Sequence, residues 1–158
     1  MKPSFESNLL QSENSFRVFL KKQGSGVTPL HYHSNYEMNF VLKGKGTRYV
    51  GNHIEDFEEG DFTLLAPSIP HTWKNMSPKR DSYSSLVIQW EESFLGKAWL
   101  STPEFQNIRR LLELSNKGIQ FEKYIGKEIK NKQSALLMLP PFEKLILDGF
   151  QAGLSWIT

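Results

Sequence analysis

The 158-residue chain contains no cysteine, so it has neither a disulfide framework nor a thiolate metal site, and a reducing compartment is permitted. It also lacks any apolar run approaching the roughly 18 residues of a membrane-spanning helix. The amino-terminal stretch Met1-Lys2-Pro3-Ser4-Phe5-Glu6 leads into no apolar leader segment. These absences point to the cytoplasm, with no membrane partner. An excess of charge of one sign is missing too. Nineteen basic residues face 17 acidic ones, a formal net charge of +2, too balanced to argue for bulk attraction to nucleic acid.

What is present fits one globular unit. Hydrophobic residues make up 39% and aromatic residues 13%, with a mean hydropathy of −0.45, so the chain can bury a core without staples. Residues 1–15 are polar and aperiodic, suggesting an arm or a loosely attached first strand. Phe16, Val18 and Leu20 then alternate with Arg17, Phe19 and Lys21, as in a strand. The cluster Gln23-Gly24-Ser25-Gly26 reads as a turn. Gly44-Lys45-Gly46 and Gly51-Asn52 read as hairpin closures on either side of Thr47 to Val50. A further turn at Glu58 to Asp61 precedes an apolar strand from Phe62 to Ala66 and a corner from Pro67 to Pro70. Tyr83 to Trp90 alternates again, with Leu86 and Ile88 on one face. Many short strands with glycine and proline turns predict a sandwich or barrel.

Beyond Trp90 the period changes. Ser101-Thr102-Pro103-Glu104 reads as a capping-box helix start, and Phe105, Ile108, Leu111 and Leu112 recur at helical spacing until Gly118. A second helix is expected over Tyr124 to Leu139, ended by Pro140-Pro141, and a third begins with Phe142, Leu145, Ile146 and Phe150. The run Lys123, Lys127, Lys130 and Lys132 reads as the solvated face of an amphipathic helix rather than a nucleic-acid contact.

The chemistry concentrates in His31-Tyr32-His33-Ser34-Asn35-Tyr36-Glu37. In one extended strand, His31, His33 and Glu37 would share a face, and Asn39 and Val41 would continue it, with Met38, Phe40 and Leu42 opposite. His71, after Pro70, could reach the same spot from a neighbouring strand. Imidazoles plus a carboxylate suit a divalent transition metal, such as Zn, Fe, Mn or Ni, with positions open to water or a ligand. His53 follows a turn and has no partner in sequence, so it is left out. Trp73, with the parity of His71, is either a pocket wall or core. Arg48 could hold an anionic or polyhydroxyl ligand by forked hydrogen bonds if it points inward, but the opposite parity, which exposes it, is preferred. Asn39, Arg48 and Trp73 are therefore the candidate ligand-binding residues.

Gly26, His31, His33, Glu37 and Gly44, followed by Gly60-Asp61, Pro67, His71 and Asn75, resemble the two motifs of the cupin superfamily. The spacing from Gly26 to His31 is one residue short, the proline sits one place late, and Ile69 replaces an inner glycine. The phrases HYHSNYEMNFVLKGKGTRYVG and EEGDFTLLAPSIPHTWKN resemble the sensor domains of AraC-type transcription regulators, and the likeness continues weakly to about Phe150. The resemblance implies a mainly β fold, a cupin jelly-roll barrel over 1–95 followed by two to three helices over 96–158. It implies His31, His33, Glu37 and His71 as metal ligands, and a sugar-like small molecule sensed by a homodimer, for which either the helices or the barrel strands could supply the seam. DNA would be contacted only through a helix-turn-helix part for which this chain has no room. The chain's abrupt ending suggests a longer protein that was cut or changed frame. Two other functions are compatible with the site: a stand-alone metal-dependent cupin enzyme of dioxygenase or isomerase type, and a sugar-binding or storage barrel with a structural metal. No further acid or base is placed convincingly in the site, which favours binding over turnover.

Overall fold

The computed structural model describes residues 2–7, 16–23, 28–77, 79, 82–96 and 98–125. The strands are β1 (Ser4–Phe5), β2 (Phe16–Gln23), β3 (His31–Tyr32), β4 (Tyr36–Lys43), β5 (Gly46–Val50), β6 (His53–Phe57), β7 (Phe62–Leu65), β8 (His71–Asn75), β9 (Tyr83–Trp90) and β10 (Ile119–Gln120). They form two five-stranded sheets, ordered β1-β3-β8-β5-β6 and β10-β7-β4-β9-β2. From β3 to β9 the chain passes repeatedly from one sheet to the other, and only β5 and β6 are sequential neighbours in one sheet. This is the jelly-roll arrangement, a mainly β fold.

Two turn assignments come out differently. Gly51-Asn52 does join a hairpin, β5 to β6, but Gly44-Lys45-Gly46 carries the chain from β4 in one sheet to β5 in the other. The crossing explains both glycines. Gly44 has φ +110°, and a Cβ on Gly46 would stand 2.0 Å from the Lys74 carbonyl oxygen.

The second sheet is buried on its inner face and, across β4, β7 and β9, on part of its outer face, while Val18 and Leu20 of β2 are exposed. In register across β2, β9, β4 and β7 run the rows Arg17, Gln89, Glu37, Leu65 and Phe19, Val87, Asn39, Thr63. Glu37, Asn39 and Val41 are buried toward the other sheet, and between the sheets the ring of Phe57 from β6 meets that of Tyr83 from β9 at 5.6 Å. On the outer face Phe40, Phe62 and Leu86 cluster with Ile125, and Phe121 stacks on Phe62 at 4.6 Å. Burial of each such side chain contributes about 1.5–3 kcal/mol.

The helix begins later than the capping-box reading has it. Pro103–Phe105 forms a single 3-10 turn, α1 spans Gln106–Leu114, and no side chain caps either start. Thr102 instead donates its hydroxyl backward to the Trp99 carbonyl, which takes it out of the cap. Gly118, at φ +75°, ends the helical stretch, and the chain returns to pair β10 with β7. The expected helices beyond Ile125, and Gly26 of the first motif, lie outside the described residues.

Candidate metal centre

The ligand-type residues converge, though not along one strand. β3 ends at Tyr32, Ser34 and Asn35 form a bend, and β4 opens in the opposite sheet. His31 and Glu37 therefore face each other from two sheets, with His33 on the loop between them. His71 reaches the group because β8 pairs antiparallel with β3, His31 opposite His71.

Three of the four group tightly. The ligand atoms of His33, Glu37 and His71 all lie within 4.8 Å of one another, and all three residues are buried. His33 Nε2 is 2.9 Å and His71 Nε2 3.7 Å from Glu37 Oε2. His31 stands beside them, its ring centroid 4.3 Å from that of His71, but its Nε2 lies 2.9 Å from Glu6 Oε2 at the end of the amino-terminal arm.

Local backbone orients each imidazole. The Nδ1 of His31, His33 and His71 lies 2.9, 3.0 and 2.8 Å from the carbonyl oxygens of Pro29, Asn35 and Ile69 respectively. An Nδ1–H donated to a carbonyl leaves the Nε2 lone pair free, the tautomer that a ligating histidine needs. The Pro67–Pro70 corner holds two of these supports together, because Ser68 donates its N–H to the His33 carbonyl at 2.7 Å. Ser68 takes the left-handed conformation there, at φ +67°, so isoleucine at position 69 meets no such demand.

The charges follow from burial and neighbours. Burial holds the His71 imidazole down to about 4, against the pull of Glu37, so it is neutral at pH 7. Burial by itself would raise the Glu37 carboxyl, but the His71 and His33 imidazoles beside it, with the hydrogen bond from Gln89, hold it well below the usual carboxylate range. The result is an anionic oxygen and imidazole nitrogens turned toward one point. His71 Nε2 is buried without any hydrogen-bond partner, an expensive arrangement for a polar atom unless a cation completes it. The donor set therefore fits a divalent transition metal held by His33, Glu37 and His71, a group that can hold such an ion without thiolate.

A pH effect follows for the metal-free protein. Between pH 6.5 and about 4 an unfolded histidine binds a proton that folded His71 does not, so stability falls as pH drops through this window. The upper bound is about 3 kcal/mol, at roughly 1.4 kcal/mol per unit. Urea unfolding at pH 7 and pH 4.5 should show a smaller loss in His71→Leu than in the parent. Equal losses would contradict the assignment.

The other candidate residues divide. Asn39 is buried two residues along β4 from Glu37, with its amide beside the Tyr83 hydroxyl. Trp73 is buried with its ring edge-on to His71 at 5.7 Å and its indole N–H unpaired. Arg48 is not exposed. It shares the inward parity of Val50 and lies opposite Trp73. Its guanidinium is already bonded to Asp61 and Glu55, which occupies the fork that a ligand would use. His53 is exposed and stands apart from the centre.

Sequence reading missed Gln89, whose Nε2 donates to Glu37 Oε2 at 2.6 Å. Its parity with Ser85 and Val87, opposite the Leu86 and Ile88 stripe, is the available signal: an amide on the inner face of a buried strand. Tyr83 and Ser85, on the same face, are also buried, with the Tyr83 hydroxyl beside that of Ser85 and the Asn39 amide.

Residues 18–83 match the family model described as Cupin domain, which covers the strands that build the centre. This stretch is similar to a Cupin domain over about two fifths of the chain. An uncharacterised protein of Aquifex aeolicus strain VF5 is 32% identical over 85 residues, which are 53% of this chain and 64% of that relative. Among solved structures, apo ToxT K231A from Vibrio cholerae matches with a TM-score of 0.58 at 14% identity, over 89% of this chain and 54% of that one. A Cupin 2 conserved barrel domain protein from Salinispora arenicola matches with a TM-score of 0.45 at 16% identity, over 54% of this chain and 71% of that one. Among the described residues no helix is long and apolar enough to cross a membrane.

Proposed function

We propose that this chain is the ligand-sensing and dimerising part of an AraC-type transcription regulator, with a divalent metal and a small hydroxyl-bearing, sugar-like molecule bound inside the barrel. The observation that carries the reading is the buried convergence of His33, Glu37 and His71 beside the buried polar side chains of Asn39, Trp73, Tyr83 and Ser85. A ligand with several hydroxyls can both complete the ion's coordination and hydrogen-bond to those side chains. The regulator half is supported by the phrases at 31–51 and 58–75, and by a fold likeness to the AraC-type ToxT that spans 89% of this chain, past the barrel. The ligand shifts the domain only by binding one arrangement better than another. In this reading a second copy pairs through the helical part, and DNA contact belongs to a helix-turn-helix part outside these 158 residues.

The intact ligand set favours one rival, a metal-dependent enzyme. Thermal unfolding with saturating Zn²⁺ and a panel of monosaccharides and polyols separates them. A sensor is stabilised by its ligand, by about 2.7 kcal/mol at a hundredfold excess over Kd, and returns it unchanged. Consumption of the compound in the presence of Fe²⁺ or Mn²⁺ would replace the sensor with the enzyme, and absence of stabilisation by every compound would remove the sugar-like ligand.

A further inference from the structure

Arg17, Gln89 and Glu37 stand side by side in register on β2, β9 and β4, with their side chains linked in one line. Arg17 Nε donates to Gln89 Oε1 at 2.6 Å. The other end of the same carboxamide, Nε2, lies 2.6 Å from Glu37 Oε2 and 3.2 Å from His33 Nε2. The guanidinium is itself held over the Phe19 ring, 4.6 Å from the centroid, by the next inward residue of β2.

The chemistry of this line is directional. A guanidinium has five donors and no acceptor, so it accepts only the oxygen end of the carboxamide. The NH₂ end must then face Glu37 and His33. Without that constraint, a carboxamide next to a divalent cation would gain by turning its oxygen inward as a ligand. With Arg17 in place, such a turn would break a charge-assisted hydrogen bond and set NH₂ against the guanidinium.

We propose that Arg17 is a positioning residue that locks the Gln89 carboxamide with its NH₂ toward Glu37, so that Gln89 serves the centre as a hydrogen-bond donor and is kept from becoming a metal ligand. This rests on the metal-binding part of the reading above. The donor orients the Glu37 carboxylate, and it favours an oxygen atom, from water, hydroxyl or carboxylate, as the neighbouring ligand on the ion.

The test uses the whole chain and Arg17→Met, Arg17→Lys and Gln89→Leu variants. Lysine is again a donor without an acceptor, so Arg17→Lys should preserve the orientation, whereas Arg17→Met should release it. Two readouts are taken. In the metal-free protein, the Gln89 side-chain NH₂ resonance, identified by its loss in Gln89→Leu, should be protected from solvent exchange in the parent and Arg17→Lys and unprotected in Arg17→Met. With Co²⁺, Arg17→Met should change the visible absorption bands as an extra oxygen ligand enters, and Arg17→Lys should restore the parent spectrum. Gln89→Leu should keep the ligand set but weaken Co²⁺ binding about 10- to 100-fold, as loss of an outer hydrogen-bond partner does. Parent-like Co²⁺ bands in Arg17→Met would overturn the proposal, as would equal NH₂ exchange in all three proteins that carry Gln89. If the parent takes up no Co²⁺, the metal reading falls separately, and the NH₂ exchange alone decides whether Arg17 positions Gln89.

Discussion

Arg48→Met is expected to destabilise the barrel by about 3–5 kcal/mol at neutral pH, the range for breaking one side of a buried ion pair. Arg48 belongs to β5 of one sheet. Asp61, its partner, lies just before β7 of the other, so the pair ties the two layers together. Both side chains are 4% exposed, and Asp61 keeps one carboxylate oxygen, Oδ1, without a hydrogen-bond partner even with Arg48 present. Burial already pushes the Asp61 carboxyl up, against the lowering effect of Arg48. Without the guanidinium the remaining charge keeps the hydrogen bond from Gln120 Nε2, 3.2 Å away, and the more distant Lys123 ammonium, which does not replace a direct ion pair. The deficit should shrink at low pH, where Asp61 takes up a proton, and in the double variant Arg48→Met/Asp61→Leu. Urea unfolding at pH 7 and pH 5 measures both. A loss below about 1 kcal/mol at pH 7, the range of an exposed pair, would show that the link is not a buried tie.

Replacing His33 and Glu37 together by alanine is expected to weaken divalent-metal binding by more than about a thousandfold, or roughly 4 kcal/mol. Two of the three converging ligand atoms are removed, and His71 is left as a single neutral imidazole. Glu6 remains on His31, so that residue is no ready substitute. Titration calorimetry with Zn²⁺ on parent and double variant reads the change. Circular dichroism checks that the barrel persists, as expected when a buried carboxylate is removed along with its imidazole partner. Parent-like affinity in a folded double variant would mean that the ion sits elsewhere.

The sequence announced the residues of this centre more clearly than the path that unites them. The run His31 to Glu37 has strand parity, but its central residues form a bend, because Asn35 offers its carbonyl to His33 Nδ1 and accepts the Ser34 hydroxyl on its own side chain. Such local bonds compete with a strand, and the alternation of residue types does not register them. Alternation served better where the strand was real: Glu37, Asn39 and Val41 do face inward, with Phe40 on the outer face. Arg48 misled because arginine reads as a surface residue, and its burial depends on Asp61, thirteen positions away and in the other sheet. Gln89 has the same kind of cause. Its role depends on the register of β9 between β2 and β4, which no short stretch of sequence encodes. Gly44 to Gly46 looks like a hairpin closure in sequence, and only the tight approach of Lys74 to Gly46 reveals a crossing between sheets.

The most direct test of the centre is X-ray absorption at the metal edge of protein loaded with one equivalent of Zn²⁺. The account predicts a single site with imidazole scattering from His33 and His71 and a carboxylate oxygen from Glu37, at distances near 2.0–2.2 Å, and loss of the imidazole signal in His33→Ala/Glu37→Ala. Zinc without imidazole ligands, or an unchanged spectrum in the double variant, would contradict it.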